Sequence, residues 1–307
     1  MRILVTGAAG YIGSALVRAL AGEDVLATDQ GAMPFANAVV GNIAYPQFTR
    51  SLVTPEIGVV FHLAALVSGG AEQSFELGTK VNLEATRDLL EACRLNGHCP
   101  KFVFASSIAV YGAQSPNVLA DPVTDDTPPA PHISYGAQKL IGEILIDDYT
   151  RRGFIDGRSL RLPTVMVRPG SPNTAVSGWA SAIIREPLAG RDYACPVQPG
   201  TRMACISLQR VVESFVHASR LDGARVGPRR AVLLTGIPVS AQQMWDAVKR
   251  RARGRVHFTP DPALQAVMDA APKATASARA DALGFRHSGS IDEIVREYEE
   301  AALADHG

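Results

Sequence analysis

The chain has 307 residues, and its 30 lysines and arginines are balanced by 30 aspartates and glutamates. Zero net charge, without a basic block or an acidic tail, argues against nucleic acid or an anionic membrane as partner. The length suffices for one large unit or two intimately packed ones. Cys93, Cys99, Cys195 and Cys205 show neither metal-ligand spacing nor a disulfide framework, and the seven histidines form no ligand cluster. No metal is therefore expected. No apolar run approaches a membrane span and no signal-like segment precedes MRILVTG, so a soluble, cytoplasmic protein is expected.

Arg2–Thr6 reads as a strand buried on both faces. It runs into GAAGYIG, with Gly7, Gly10 and Gly13 opening a helix that continues to about Leu20. Strand, glycine turn and helix in this order form a pyrophosphate cradle: glycines let the backbone approach closely, and the helix N-terminus offers amides and a positive dipole end. The next strand, Asp24–Thr28, ends at Asp29, 22 residues beyond Gly7. A carboxylate there accepts hydrogen bonds from an adenosine ribose and repels a 2′-phosphate, which favours NAD over NADP; the alternative is a turn cap.

A short strand at 38–40 precedes Gly41-Asn42-Ile43 and a helix from Pro46 to about Val53. Gly58–Leu63 is the fourth strand, followed by Ala64 and Ala65, small enough for a cofactor to lie against the backbone. His62 reads as a packed or cofactor-side histidine rather than a catalyst. Ser68 falls in a loop at the carboxyl end of that strand, as a substrate contact or a turn residue. Phe75–Leu95 reads as one amphipathic helix carrying Asn82, and Lys101–Ala105 as the fifth strand, ending at Ser106-Ser107. The Ser107 hydroxyl suits either a reacting oxygen or the backbone at the strand end. An irregular, proline-rich loop (Gln114–Pro131) follows.

Tyr135 and Lys139 lie four residues apart at the start of a helix, so both side chains share one face. A fixed ammonium favours phenolate over phenol. Bringing a tyrosine from about 10 to about 7 takes roughly 4 kcal/mol. Beyond it, Ser159–Met166 reads as one strand containing Pro163 and Thr164. Regular structure is expected to be sparse from Arg168 to Arg202, where Pro172, Pro187, Pro196 and Pro199 fall. Helices are expected at Ile206–Ser219, Ser240–Arg251 and Ile291–Ala304, and strands at Arg230–Leu234 and Val256–Thr259. Strands alternating with helices through the first 166 residues mean an α/β fold with a doubly wound parallel sheet.

Taken together, the glycine turn, Asp29, HLAA, Ser107 and Tyr135/Lys139 resemble the extended short-chain dehydrogenase/reductase family over the whole chain. The resemblance implies a Rossmann domain over residues 1–166, with 205–236 packing back onto it, and a substrate-binding region from 167–204 and 237–307. It implies NAD held by Gly7, Gly10, Tyr11, Ile12, Gly13, Asp29, Asn42, Ile43, Leu63, Ala64, Ala65, Asn82, Tyr135, Lys139, Pro163 and Thr164. By the same resemblance Tyr135 is the proton acceptor, Lys139 lowers its pKa, and Ser107 orients the substrate oxygen, with Ser68 and Ile108 beside the substrate. Two departures stand out: Asn42 where the family often has Asp, and Leu83-Glu84-Ala85-Thr86 where it carries a glycine-bearing sequence.

The stretch SYGAQKLIGEILIDDYTRRGFIDGRSLRLPTVMVRPGSPNTA is similar to a branch of that family that oxidises the C2 hydroxyl of a four-carbon sugar acid with NAD. A sugar acid needs a cation for its carboxylate. Arg168, Arg185 and Arg202 are the candidates, and Arg202 falls where nucleotide-sugar relatives grip phosphate. The competing readings are a nucleotide-sugar epimerase or uronate dehydrogenase on the same scaffold, and a non-catalytic dinucleotide sensor. Relatives often form homodimers through the helices at 75–95 and 135–149.

Overall fold

The computed structural model describes residues 1–112, 119–170 and 175–304; Gln114 and Pro172 lie outside the described residues. The strands are β1 (Arg2–Thr6), β2 (Val25–Asp29), β3 (Ala38–Val40), β4 (Ile57–His62), β5 (Lys101–Ser107), β6 (Asp156–Leu162), β7 (Thr164–Met166), β8 (Tyr193–Cys195), β9 (Arg202–Ser207), β10 (Ala231–Leu233), β11 (Ile237–Ser240) and β12 (Val256–Phe258). The helices that bear on function are α1 (Tyr11–Ala19), α2 (Pro46–Leu52), α3 (Ser68–Gln73), α4 (Phe75–Gly78), α5 (Ala85–Asn96), α6 (Ser134–Arg151) and α7 (Gly178–Leu188).

The chain divides into two compact units. The first comprises 1–110, 133–162 and 212–232, and the second 111–132, 163–211 and 233–307. The segment 111–132 groups with the second unit, and the crossover falls at Pro163.

A seven-stranded sheet in the order β10-β6-β5-β4-β1-β2-β3 is the frame of the first unit. Adjacent strands from β6 through β3 pair in parallel. Parallel strands covered on both faces read as continuous apolar runs, as RILVT and GVVFH do here. Leu4, Val60, Phe102 and Phe104 are fully buried and pack with Leu89, Leu90 and Ile146 of the covering helices. The strand order reverses between β1 and β4, and in such sheets ligands gather at the carboxyl ends beside the reversal. Gly7 follows β1 there, and Leu63 follows β4.

Several elements depart from the expectations. The helix spanning 75–96 is not uniform: between α4 and α5 the segment Thr79–Glu84 winds as a π-helix, and it carries Asn82. Ser68 begins α3 rather than sitting in a loop. The expected strand 159–166 is two strands, because Pro163 supplies no amide to a ladder. Its second half, β7, joins a three-stranded sheet in the order β11-β9-β7 within the second unit. The stretch expected to be irregular holds α7, with Pro187 in its last turn, and β8; Ile206 belongs to β9 rather than to a helix. That unit has its own core, with Trp179, Ile183 and Ile184 of α7 packed with Met203, Met244 and Met268.

Candidate active site

The glycine turn is fixed by how close its backbone comes to its neighbours. Gly7 adopts φ +73°, a region that L side chains rarely adopt, and a β-carbon there would sit 2.6 Å from the Ala64 amide nitrogen. A β-carbon on Gly13 would lie 2.1 Å from the Gly7 carbonyl oxygen. The α1 helix can therefore start directly over the β1 end, with the first-turn amides of Tyr11, Ile12 and Gly13 at its N-terminus. Asp29, at the tip of β2, accepts from the Ala9 amide (3.1 Å) and the Gly31 amide (3.2 Å), so its carboxylate braces the glycine loop and caps its own turn. Asn42 turns inward in the same manner, its Oδ1 accepting from the Ala44 amide at 2.9 Å, and Ile43 is buried beside it.

Below the end of β4 lies a hydrogen-bond chain that the sequence did not disclose. The Ala64 amide donates to Thr6 Oγ1 (3.3 Å), and Thr6 Oγ1 lies 2.8 Å from His62 Nδ1. His62 Nε2 lies 2.9 Å from Thr86 Oγ1, and the Thr86 hydroxyl donates to the Asn82 carbonyl at 2.8 Å. Because the Thr86 proton is used on that carbonyl, Nε2 carries the imidazole proton and Nδ1 accepts from Thr6. Burial, reinforced by the Lys139 charge, pushes His62 down to about 3, so it stays a neutral connector. It stacks on Phe104 at 5.7 Å between ring centres.

Asn82 connects this layer to α6. Its Oδ1 accepts from the Leu66 amide (2.7 Å), and its Nδ2 donates to the Leu66 carbonyl (3.0 Å) and to Gln138 Oε1 (2.7 Å). Both amide protons are thus spent on holding the segment after Leu63-Ala64-Ala65 and on anchoring the helix that carries Tyr135. The π-helical winding sets Asn82 within reach of both partners, a placement π segments often serve at functional sites.

The α6 helix packs on β5, β6 and the 3₁₀ turn Ile108–Val110. Gly142 allows this approach: a β-carbon there would be 3.0 Å from the Phe104 ring. The helix buries Gln138, Lys139 and Glu143, while Ile141 and Ile144 of its apolar run remain exposed. Lys139 is 1% exposed, with its ammonium 4.5 Å from the centre of the Phe104 ring and 5.5 Å from that of Tyr135. Burial lowers its pKa to about 7 against the opposing pull of Glu143. Ser107 ends β5 and accepts from the Ala109 amide at 3.1 Å, which leaves its own proton to give; Ile108 beside it is buried. Ser68, also buried, opens α3.

In the second unit, Thr164 pairs with Cys205 across β7 and β9, and Gly236 packs against Pro163. Of the three arginines, Arg185 is buried and committed: Nε donates to Glu186 (2.8 Å) and Nη1 to the Arg168 carbonyl (2.7 Å). Arg202 is 44% exposed and forms an ion pair with Asp121 at 2.5 Å. Among the described residues no His, Cys, Asp and Glu cluster could hold a metal. No helix among them is long and apolar enough to cross a membrane.

Comparison with known proteins agrees with this geometry. Residues 3–202 match the NAD dependent epimerase/dehydratase family. The chain is 44% identical to D-erythronate dehydrogenase of Cupriavidus necator, with 99% of this chain and all of the relative covered. It is 34% identical to D-erythronate dehydrogenase of Haemophilus influenzae, over 97% of this chain and 98% of that one. A nucleoside-diphosphate-sugar epimerase from Agrobacterium tumefaciens superposes with a TM-score of 0.90 at 34% identity, covering 99% of this chain and 95% of that structure. The glycine cradle and the buried ammonium fit a dinucleotide: the one admits a pyrophosphate, and the other offers a charge that a ribose can meet. The chain belongs to the NAD-dependent epimerase/dehydratase family, and NAD is its cofactor.

Proposed function

We propose that this protein oxidises D-erythronate at C2 to 2-dehydro-D-erythronate. The observation that carries the reading is end-to-end likeness to two D-erythronate dehydrogenases, at 44% and 34% identity, and the buried Lys139 beside Tyr135 supports it. NAD, when bound, supplies the acceptor for the hydride that leaves C2. Gly7, Gly10, Tyr11, Ile12 and Gly13 hold its pyrophosphate, Asp29 its adenosine ribose, and Asn42 and Ile43 its adenine. Leu63, Ala64 and Ala65 line its path, Lys139 and Tyr135 meet the nicotinamide ribose, and Pro163 and Thr164 the carboxamide. Asn82 serves the cofactor by holding Leu66, which follows the segment that lines its path.

Tyr135 takes the C2 hydroxyl proton at its phenolate oxygen, and the Lys139 ammonium favours that phenolate. The Ser107 hydroxyl donates to the substrate oxygen as its charge changes. Ser68 and Ile108 bound the substrate. Its carboxylate is assigned to an arginine of the substrate region, Arg168 or Arg202, since Arg185 is spent within the fold. The domain assignment is a Rossmann unit built from 1–166 with 205–236, and a substrate region from 167–204 and 237–307. A cytoplasmic homodimer completes the reading, supported by Phe75, Ile141 and Ile144 exposed on the helices through which relatives pair. NADH formation from NAD and D-erythronate tests the activity.

A second reading, a nucleotide-sugar epimerase, is favoured by the likeness to the Agrobacterium protein. Such an enzyme regenerates its cofactor every cycle, so NAD retained through purification together with isomerised UDP-glucose would support it.

A further inference from the structure

On α6, Tyr135, Lys139 and Glu143 follow at four-residue intervals and therefore share one helix face. Tyr135 and Lys139 belong to the reaction; Glu143 has been given no part in it. Its surroundings are unusual for a carboxylate. Glu143 is 2% exposed and Arg161, on β6, is 5% exposed. Arg161 Nε reaches Oε1 at 2.9 Å and Oε2 at 3.1 Å, and Nη2 reaches Oε2 at 2.6 Å. The Ser106 hydroxyl donates to Oε1 at 2.5 Å. Ser106 is the residue immediately before Ser107, at the end of β5.

A carboxylate gripped in this way is immobile, because its lone pairs are taken by a guanidinium fork and a hydroxyl. It lies one helical turn from an ammonium whose near neighbours are the Phe104 and Tyr135 rings. Two aromatic faces compensate a buried cation weakly. Without a nearby fixed anion, such a lysine sheds its proton, and a neutral amine does not stabilise a phenolate.

We propose that Glu143 is a positioning residue for the reaction: its carboxylate, fixed in place by Ser106 and Arg161, stands one helical turn behind Lys139 and keeps that lysine an ammonium. Arg161 keeps the carboxylate aimed, and Ser106 ties it to the strand end that carries Ser107. Among the described residues no second acidic group is found acting on Lys139. His62 on β4 is neutral, and Tyr135 is the group being tuned. Glu143 pulls the lysine pKa up against a burial that pulls it down. The inference rests on Tyr135 and Lys139 acting as proposed.

The test compares the full chain with its Glu143→Asp and Glu143→Gln variants, reading two quantities. One is the pH profile of kcat/KM with NAD and D-erythronate. The other is the Lys139 pKa, from the ¹³Cε shift of labelled lysine, resolved among the five lysines of the chain. Glu143→Gln should lower the Lys139 pKa by about one unit or more and raise the activity-controlling pKa of Tyr135 correspondingly. At neutral pH turnover then falls by at least about tenfold and recovers at higher pH, while Glu143→Asp keeps most of the parent profile. A uniform loss at every pH, with the Lys139 titration unmoved, would overturn the proposal and leave Glu143 a packing partner of Arg161. Should Glu143→Gln fail to fold because Arg161 is stranded, the Glu143→Gln/Arg161→Gln double variant removes both charges. A lowered Lys139 pKa there supports the proposal, and an unchanged one overturns it. The lysine titration does not depend on turnover. A lowered Lys139 pKa with an unmoved rate profile would therefore point to a wrong role for Tyr135, not for Glu143.

Discussion

A β-carbon on Gly7 would stand 2.6 Å from the amide nitrogen of Ala64, so the turn after β1 and the end of β4 meet through bare backbone. Gly7 also holds φ +73°. Gly7→Ala therefore costs on two counts, the left-handed conformation at about 1–2 kcal/mol and the displacement of Ala64. Dissociation constants for NAD should rise by at least about tenfold, with a lowered unfolding temperature, read by titration calorimetry and thermal unfolding.

Tyr135→Phe removes one oxygen and leaves Lys139 and the glycine turn in place. Proton transfer to a positioned side chain is worth about 10² to 10⁴ in rate. The variant should bind NAD like the parent and lose turnover by that order. Turnover close to the parent's would remove Tyr135 as the base.

Asn82→Ala strands the Leu66 amide and carbonyl and leaves Gln138 Oε1 without its donor. Unsatisfied buried groups cost about 1–3 kcal/mol each, so a loss of roughly 2–4 kcal/mol is expected in denaturant unfolding. The Michaelis constant for NAD should rise as well, since Leu66 follows the segment assigned to the cofactor. An unchanged constant in a destabilised variant would confine Asn82 to the fold.

His62 gives the protein a pH-dependent stability of predictable sign. Its folded pKa is depressed to about 3 from 6.5, chiefly by burial. Between those values the unfolded chain binds a proton that the folded chain refuses. Stability is therefore fully present above the unfolded pKa and falls as pH drops below it, by up to about 1.4 kcal/mol per pH unit. His62→Gln keeps a donor and an acceptor while removing the titration, and should flatten the acid limb of a stability–pH curve by about one proton. An unaltered slope would mean that another group carries it.

The parts of the site legible in the sequence are those whose chemistry is local. Gly7, Gly10 and Gly13 advertise a turn because their spacing and the flanking strand and helix all occur within about a dozen residues. Asp29 and the Tyr135/Lys139 pair are likewise readable from one strand end and one helix turn. The hidden layer depends on contacts across long sequence separations: Thr6 with His62, His62 with Thr86, Asn82 with Gln138, and Glu143 with Arg161. Glu143 did leave a signal, a charge one turn beyond Lys139 in an otherwise apolar stretch, and so did Arg161 inside the buried run of β6. Neither identifies its partner without the fold. The π-helical winding at Thr79–Glu84 has no simple sequence mark, since its residues suit an α-helix equally well. In the second unit, prolines misled: Pro187 lies in the last turn of α7, where it removes its own bond to the preceding turn but leaves almost no helix beyond it to break.

The most direct measurement is the absorbance of NADH formed from NAD with D-erythronate, L-threonate, a hexuronate and UDP-glucose in parallel. A D-erythronate dehydrogenase gives steady NADH production with D-erythronate and little with the other three. No NADH from any acid, with UDP-glucose isomerised instead, would contradict it and turn the same scaffold into an epimerase.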